Sequence, residues 1–114
     1  MAMAAPATSG LPGDIPREIV ITGEVVETAC FVMAGRRGQL HRQCATACAR
    51  AGQALGILED GTGTLYVAVF DRIDATPENP LLDLIADRAE VRGTAVERGG
   101  VSAIIVKRAR SLSR

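Results

Sequence analysis

Two segments of this sequence repeat one short pattern of apolar and polar residues around a glycine, which favours a fold with strands bent at that glycine, although such a pattern also recurs in other β proteins. Residues 21–27 (ITGEVVE) and 91–97 (VRGTAVE) share the pattern apolar-x-Gly-x-apolar-Val-Glu, with Gly23 and Gly93 in equivalent places. Such alternation is typical of strands with one buried face, and an interior glycine marks a bulge, a bend or a close backbone approach. Strands bent in this way turn the corners of small barrels. We therefore predict a barrel, with an open sheet or a sandwich as the alternative.

The order of the remaining elements makes this prediction more specific. Residues 17–27 form the first predicted strand, and two hairpins follow over residues 54–70 and 89–109, each turning at glycines. Between the hairpins, Asn79 can cap and Pro80 can begin a short helix over residues 80–87. A second helix is inserted after strand 1. The sequence therefore predicts a mainly β, five-stranded OB-like barrel with an inserted Cys/His helix and a short helix between strands 3 and 4.

Length and composition set the outer limits of the fold. A chain of 114 residues has the size of one domain, and its 3% aromatic content predicts an aliphatic core. Thirteen basic residues balance thirteen acidic ones, so the composition does not call for a nucleic-acid partner, and no apolar run is long enough for a membrane span. We predict a flexible lead-in over residues 1–16, a barrel domain over 17–109 and a basic tail over 110–114.

The first residues bear on the cellular location. Ala2-Met3-Ala4 has the small-x-small form of a signal-peptidase site, and the residues that follow are rich in Ala, Pro and Ser, as at the start of many exported proteins. The basic and apolar parts of a signal peptide are missing from the sequence. We expect a periplasmic or otherwise exported protein whose signal has been removed, and a cytoplasmic protein is the alternative.

All of the cysteines and the single histidine lie in one short stretch of the sequence. The segment Gln39 to Arg50 contains good helix formers and ends before Gly52, so it is predicted to be a helix. His41, Cys44 and Cys48 are spaced i, i+3 and i+7 and fall on one stripe of that helix. Cys30 lies at the predicted end of strand 1, and the Gly35–Gly38 loop gives the chain room to return over this stripe. The resulting pattern is C-x10-H-x2-C-x3-C.

Three kinds of chemistry fit these four residues. Thiolates with an imidazole suit tetrahedral zinc, and thiolates alone suit copper(I), so Cys30, His41, Cys44 and Cys48 are the predicted metal ligands. A disulfide from Cys30 to Cys44 or Cys48, with or without a redox role, is the second possibility. In the third, the cysteines are simply packed as small apolar side chains.

At these residues the sequence resembles a group of small exported bacterial proteins of uncharacterised function. The resemblance rests on G-x-V-V-x-x-x-C, which is Gly23 to Cys30 here, and on G-x-x-G-x-x-H-x-x-C-A-x-x-C, which is Gly35 to Cys48. It continues through the hairpin at residues 56–61 and the strand pair at residues 91–100. The resemblance implies an OB-like fold and an exported location, without an established activity.

Enzyme chemistry finds little support among the residues. The single histidine has no serine near it in the sequence, and no C-x-x-C motif is present. His41 beside Cys44 could activate a redox thiol. A single-stranded nucleic-acid-binding OB domain is a third possibility, but Phe31, Tyr66 and Phe70 are the only aromatic residues that could stack on bases. We therefore expect a non-enzymatic metal-binding protein with a protein partner.

Overall fold

The structure, a computed structural model, describes residues 16–71 and 79–113. Its strands are β1 (Arg17–Glu27), β2 (Leu55–Glu59), β3 (Leu65–Val69), β4 (Arg88–Arg98) and β5 (Val101–Ser111). They form a closed barrel in the order β1-β2-β3-β5-β4, in which β3 and β5 are parallel and the other neighbours are antiparallel. This is the predicted OB-like barrel, and its strands begin and end within two residues of their predicted positions.

Barrel closure depends on the long first strand. The first part of β1 pairs with β4, and its last part pairs with β2. Gly23 lies where the two ladders overlap, opposite both Glu59 and Ala89. A side chain there would overlap the backbone carbonyl of Leu58. Gly23 therefore permits a close backbone approach, which is one of the roles predicted for it from the sequence.

Gly93 has the equivalent role in β4. The β4–β5 register shifts between Arg92 and Gly93, and a Cβ on Gly93 would overlap the carbonyl oxygen of Ile105. Both glycines therefore permit close backbone approach at a barrel corner. The pattern shared by residues 21–27 and 91–97 therefore corresponds to two strands in which a side chain at the glycine would overlap a neighbouring backbone carbonyl.

Aliphatic side chains fill the barrel, as the composition predicts. Fully buried apolar residues come from four of the strands and from the segment before β4; the largest are Ile57, Leu81, Ile85, Ile104, Val25 and Val91. Asn79 accepts a hydrogen bond from the Leu81 amide at 2.9 Å in the turn before the helix, but the N-cap position is Leu81, so the predicted capping by Asn79 is corrected. The helix itself is a single 3-10 turn, Leu82–Leu84. It is shorter than predicted because Ile85 adopts an extended conformation and Ala86 has a φ of 72°.

The insertion between β1 and β2 contains two helices rather than one. The first is α1 (Thr28–Ala34), and the second, α2 (Arg42–Arg50), follows a 3-10 turn at Gln39–His41. Glu27 caps α1 through hydrogen bonds from the amides of Ala29 and Cys30. Cys30 therefore lies in the first turn of a helix, and its predicted place at the end of strand 1 is corrected.

The predicted lead-in falls almost entirely outside the described residues. Within residues 16–71 and 79–113, no helix combines the length and apolar character that a membrane span requires.

Candidate metal centre

Polar contacts hold the insertion against the barrel. Glu24 of β1 accepts a hydrogen bond from the Gly38 amide at 2.7 Å and pairs with Arg37. The Gln39 side-chain amide donates to the carbonyl of Ala86 at 3.0 Å, and the Arg42 guanidinium donates to the carbonyl of Asp83 at 3.2 Å. The start of α2 is thereby fixed to both β1 and the segment that leads into β4.

Small side chains decide which face of α2 meets the barrel. Ala45 is 3% exposed and Ala49 packs against the same core. Cys48 lies three residues after Ala45 and next to Ala49, so it shares this inward face and is half-buried. Cys44 lies outside the packed face and is exposed.

Docking of α2 brings two thiols and one carboxylate together. The Sγ atoms of Cys30 and Cys48 and a carboxylate oxygen of Glu27 all lie within 4.8 Å of one another. Each donor has a different origin: Glu27 ends β1, Cys30 belongs to the first turn of α1, and Cys48 belongs to the last turns of α2. Thiolate and carboxylate oxygen are both established zinc ligands, so the group has the chemistry of a partial metal site.

The carboxylate in this group is buried and ionised. Glu27 is only 1% exposed. Burial alone would raise the pKa of Glu27, but hydrogen bonds from the Cys30 thiol and from the amides of Ala29 and Cys30, with the nearby charge of His41, hold it below its ordinary value of 4.5. The site therefore presents a negative charge inside the protein near neutral pH.

The Cys30 thiol has a raised pKa, in contrast to the lowered pKa of Glu27. Its hydrogen bond to Glu27, together with burial and the negative charge of that carboxylate, raises the pKa of Cys30 from 9.0 to about 12. Cys48 adds to the effect. Near neutral pH the thiol proton consequently lies between the Cys30 sulfur and a carboxylate oxygen. A metal cation bound between the same two atoms would replace that proton.

His41 lies beside the group. Its Nε2 is buried and has no hydrogen-bond partner among the described residues. His41 and Glu27 line the same small cavity, together with Glu24 and Ala45. The imidazole is therefore near the carboxylate, although it is not one of the donors within 4.8 Å of the others.

Of the four predicted ligands, the structure brings Cys30 and Cys48 together, holds His41 nearby and leaves Cys44 exposed on α2. The four-ligand set stays a prediction. All three cysteines are free thiols in the structure. Glu27 is the donor that sequence reasoning missed. The only sequence signal for Glu27 was a glutamate at the end of an alternating strand. Helices are more usually capped by shorter side chains, so a glutamate at this position did not indicate a cap.

Neutralising Glu27 should remove a pH-dependent part of the stability. Because its pKa is lowered in the folded protein, the stabilisation is fully present above 4.5 and is lost as pH falls through the folded pKa. We expect Glu27→Gln to lower the free energy of unfolding by about 1 kcal/mol at neutral pH through the weakened cap. The difference from the parent should shrink in acid. Denaturant unfolding in chelator at several pH values from 7 to 3 measures it.

The exposed carboxylate of Glu97, near the end of β4, supplies the control. Glu97→Gln makes the same chemical change outside the cluster and should lower the free energy of unfolding at neutral pH by less than Glu27→Gln does. A constant difference between the parent and Glu27→Gln across this range would contradict the charged state assigned to Glu27.

The fold and this group of donors define the protein as an OB-like barrel with a carboxylate–dithiol cluster where β1 meets the β1–β2 insertion. Comparison with known proteins found no family model, no curated protein and no solved structure that matches the chain.

Proposed function

We propose that this protein is a small, non-enzymatic metal-binding protein whose site is built on the thiolates of Cys30 and Cys48 and the carboxylate of Glu27. The proposal rests on one observation: two thiols and a buried carboxylate meet within 4.8 Å on three different segments of the fold. His41, which lines a small cavity together with Glu27, would complete a four-coordinate shell.

The electrostatics of the site favour a bound cation. Burying an ionised carboxylate is costly unless a positive charge or strong hydrogen bonds compensate for it. Here Glu27 has two backbone amides and a neutral thiol as hydrogen-bond partners. A divalent cation that displaces the thiol proton would add a positive charge beside this carboxylate and would release that proton to solvent.

The donor chemistry favours zinc over copper(I). Zinc accepts mixed sulfur, nitrogen and oxygen ligands in a tetrahedral arrangement, whereas copper(I) favours soft sulfur ligands. A carboxylate inside the group therefore suits zinc. Copper(I) would use Cys30 and Cys48 and leave Glu27 unbound.

A thiol-redox or disulfide-stapled interaction module is the second candidate, and the closeness of the Cys30 and Cys48 sulfurs favours it. The raised pKa of Cys30 weighs against a catalytic role because a redox nucleophile needs a low thiol pKa. A structural disulfide between these residues would tie α1 to α2 and remove the metal site.

We also propose an exported, periplasmic location, which rests on the resemblance described above and on the small-x-small segment near the start of the chain. An oxidising compartment would make the state of these thiols the decisive property to measure.

Metal content and free-thiol content, measured together on protein purified without reducing agent, test the proposal. We expect three free thiols after denaturation in chelator and one zinc per chain before it. A single free thiol and no metal would support the disulfide instead. Three free thiols that bind neither added zinc nor added copper(I) would contradict the metal-site proposal.

A further inference from the structure

Two arginines face each other on the outside of the barrel. Arg92 of β4 lies directly opposite Arg108 of β5 in the antiparallel ladder, and both side chains are exposed. Like charges placed opposite each other on neighbouring strands destabilise a sheet. The stability of the fold therefore does not explain why two arginines occupy these positions.

The two arginines form the shared wall of two adjacent grooves. The first groove lies towards β1 and is also lined by Glu18, Ile19, Val20, Gly93 and Lys107. The second lies towards the segment before β4 and is also lined by Pro80, Glu90, Ala109 and Arg110. Because Arg92 and Arg108 line both grooves, they lie at the centre of one continuous surface, which we call the arginine groove.

Positive charge is in excess along the arginine groove. Its cations are Arg92, Lys107, Arg108 and Arg110, against the two carboxylates of Glu18 and Glu90. Both carboxylates are already engaged. Lys107 pairs with Glu18 at 2.9 Å, and Arg110 pairs with Glu90 at 3.2 Å.

The central arginines receive little of that compensation. Arg92 lies 3.9 Å from Glu90, which it shares with Arg110. Arg108 makes no ion pair with any residue in the described part of the chain. Lys107 has no partner in the β4–β5 register, which shifts at this point, and it is exposed next to Arg108. The register shift thus places Lys107, a third cation, beside Arg92 and Arg108 at the centre of the surface.

We propose that the arginine groove is a docking surface for an acidic, partly apolar segment of a partner protein. Guanidinium groups bind carboxylates through paired hydrogen bonds, which suits Arg108 and also Arg92, whose one carboxylate neighbour, Glu90, is shared with Arg110. Val20 is 50% exposed on the same surface and offers an apolar contact between the charges. The surface contains no cysteine, so this function is independent of the metal site.

The same surface lacks what a single-stranded nucleic acid would need. Among residues 16–71 and 79–113, no aromatic side chain lines either groove. Elsewhere in the fold, Phe31, Tyr66 and Phe70 are half-buried, and Tyr66 packs against the core. Single-strand binding depends on stacking of bases on aromatic side chains as well as on charge. An acidic peptide is therefore the better match.

Fluorescence anisotropy with a labelled peptide of alternating Glu and Leu tests this proposal. We expect binding that weakens with added salt, and we expect the double variant Arg92→Gln/Arg108→Gln to bind roughly tenfold more weakly or worse. The matched control is Arg50→Gln/Arg98→Gln, which removes the same charge from two exposed arginines outside the groove. It should bind like the parent.

The melting temperature distinguishes a binding role from a structural one. Removing a like-charge pair should leave the melting temperature of the Arg92→Gln/Arg108→Gln variant equal to or above that of the parent. A lower melting temperature would assign the arginines to stability and overturn the proposal. Three other results would also overturn the proposal. These are a parent that does not bind the peptide, an equal loss of affinity in both double variants, and a parent that binds a single-stranded oligonucleotide more tightly than the peptide.

Discussion

Gly93→Val is expected to lower the free energy of unfolding by roughly 4 kcal/mol or more, enough to unfold a domain of ordinary stability. The valine Cβ would overlap the backbone carbonyl of Ile105, and a backbone oxygen cannot move aside as a flexible side chain can. Relief requires β4 and β5 to separate where their register already shifts. Gly23→Val should act similarly because its Cβ would overlap the carbonyl of Leu58.

Neighbouring threonines provide matched controls for these variants. Thr94→Val and Thr22→Val introduce the same side chain one residue away from each glycine, at half-buried positions that already accept a β-branched residue. Each should change stability by less than about 1 kcal/mol. Thermal and denaturant unfolding of the four variants measures these changes in stability. Glycine variants that melt like the parent would show that the barrel corners do not depend on close backbone approach.

Loss of either clustered thiol is expected to lower metal affinity by about a hundredfold or more, because a thiolate supplies much of the binding energy of such a site. Cys30→Ser and Cys48→Ser should both have this effect. Cys44→Ser is the matched control, since it makes the same chemical change on the exposed side of α2. Metal titration with a competing chelator measures all three variants.

Two further variants identify the metal. For zinc, Glu27→Gln and His41→Ala should each weaken binding, because the tetrahedral shell loses a donor. For copper(I), both variants should bind like the parent, because the two thiolates satisfy the ion. Metal loss in Cys44→Ser equal to that in Cys48→Ser would contradict the three-donor site and favour the set of four ligands predicted from the sequence.

The barrel could be predicted because each strand and each turn is specified by residues that are close together in the sequence. Strand alternation marks the five strands, and glycines mark both hairpin turns and both crowded corners. The helix over residues 80–87 was overestimated because its apolar spacing does not reveal that Ala86 takes a positive φ. Tertiary packing of Leu81 and Ile85 against the core determines that segment more than helix propensity does.

The candidate site was harder to predict because its donors come together only after α2 docks. The i, i+3, i+7 spacing placed His41, Cys44 and Cys48 on one stripe, but burial of Ala45 fixes the rotation of α2 and turns Cys44 outward. Helix α1 was missed because TACFVMA contains β-branched and aromatic residues that favour strands. Without α1, the glutamate at the end of the predicted strand did not indicate either its capping role or its contact with Cys30.

The position of the insertion has a consequence for how such a protein can vary. Residues 28–54 are a connection between two adjacent antiparallel strands, and the entropy of closing a loop rises only with the logarithm of its length. Lengthening or replacing this connection therefore changes the closure entropy of the barrel very little. Glu27, the docking contacts of Ala45 and the hydrogen bonds from Gly38, Gln39 and Arg42 tie the donors to the scaffold. Reactive chemistry can accordingly be exchanged within one loop while the strands that hold it keep their pairing.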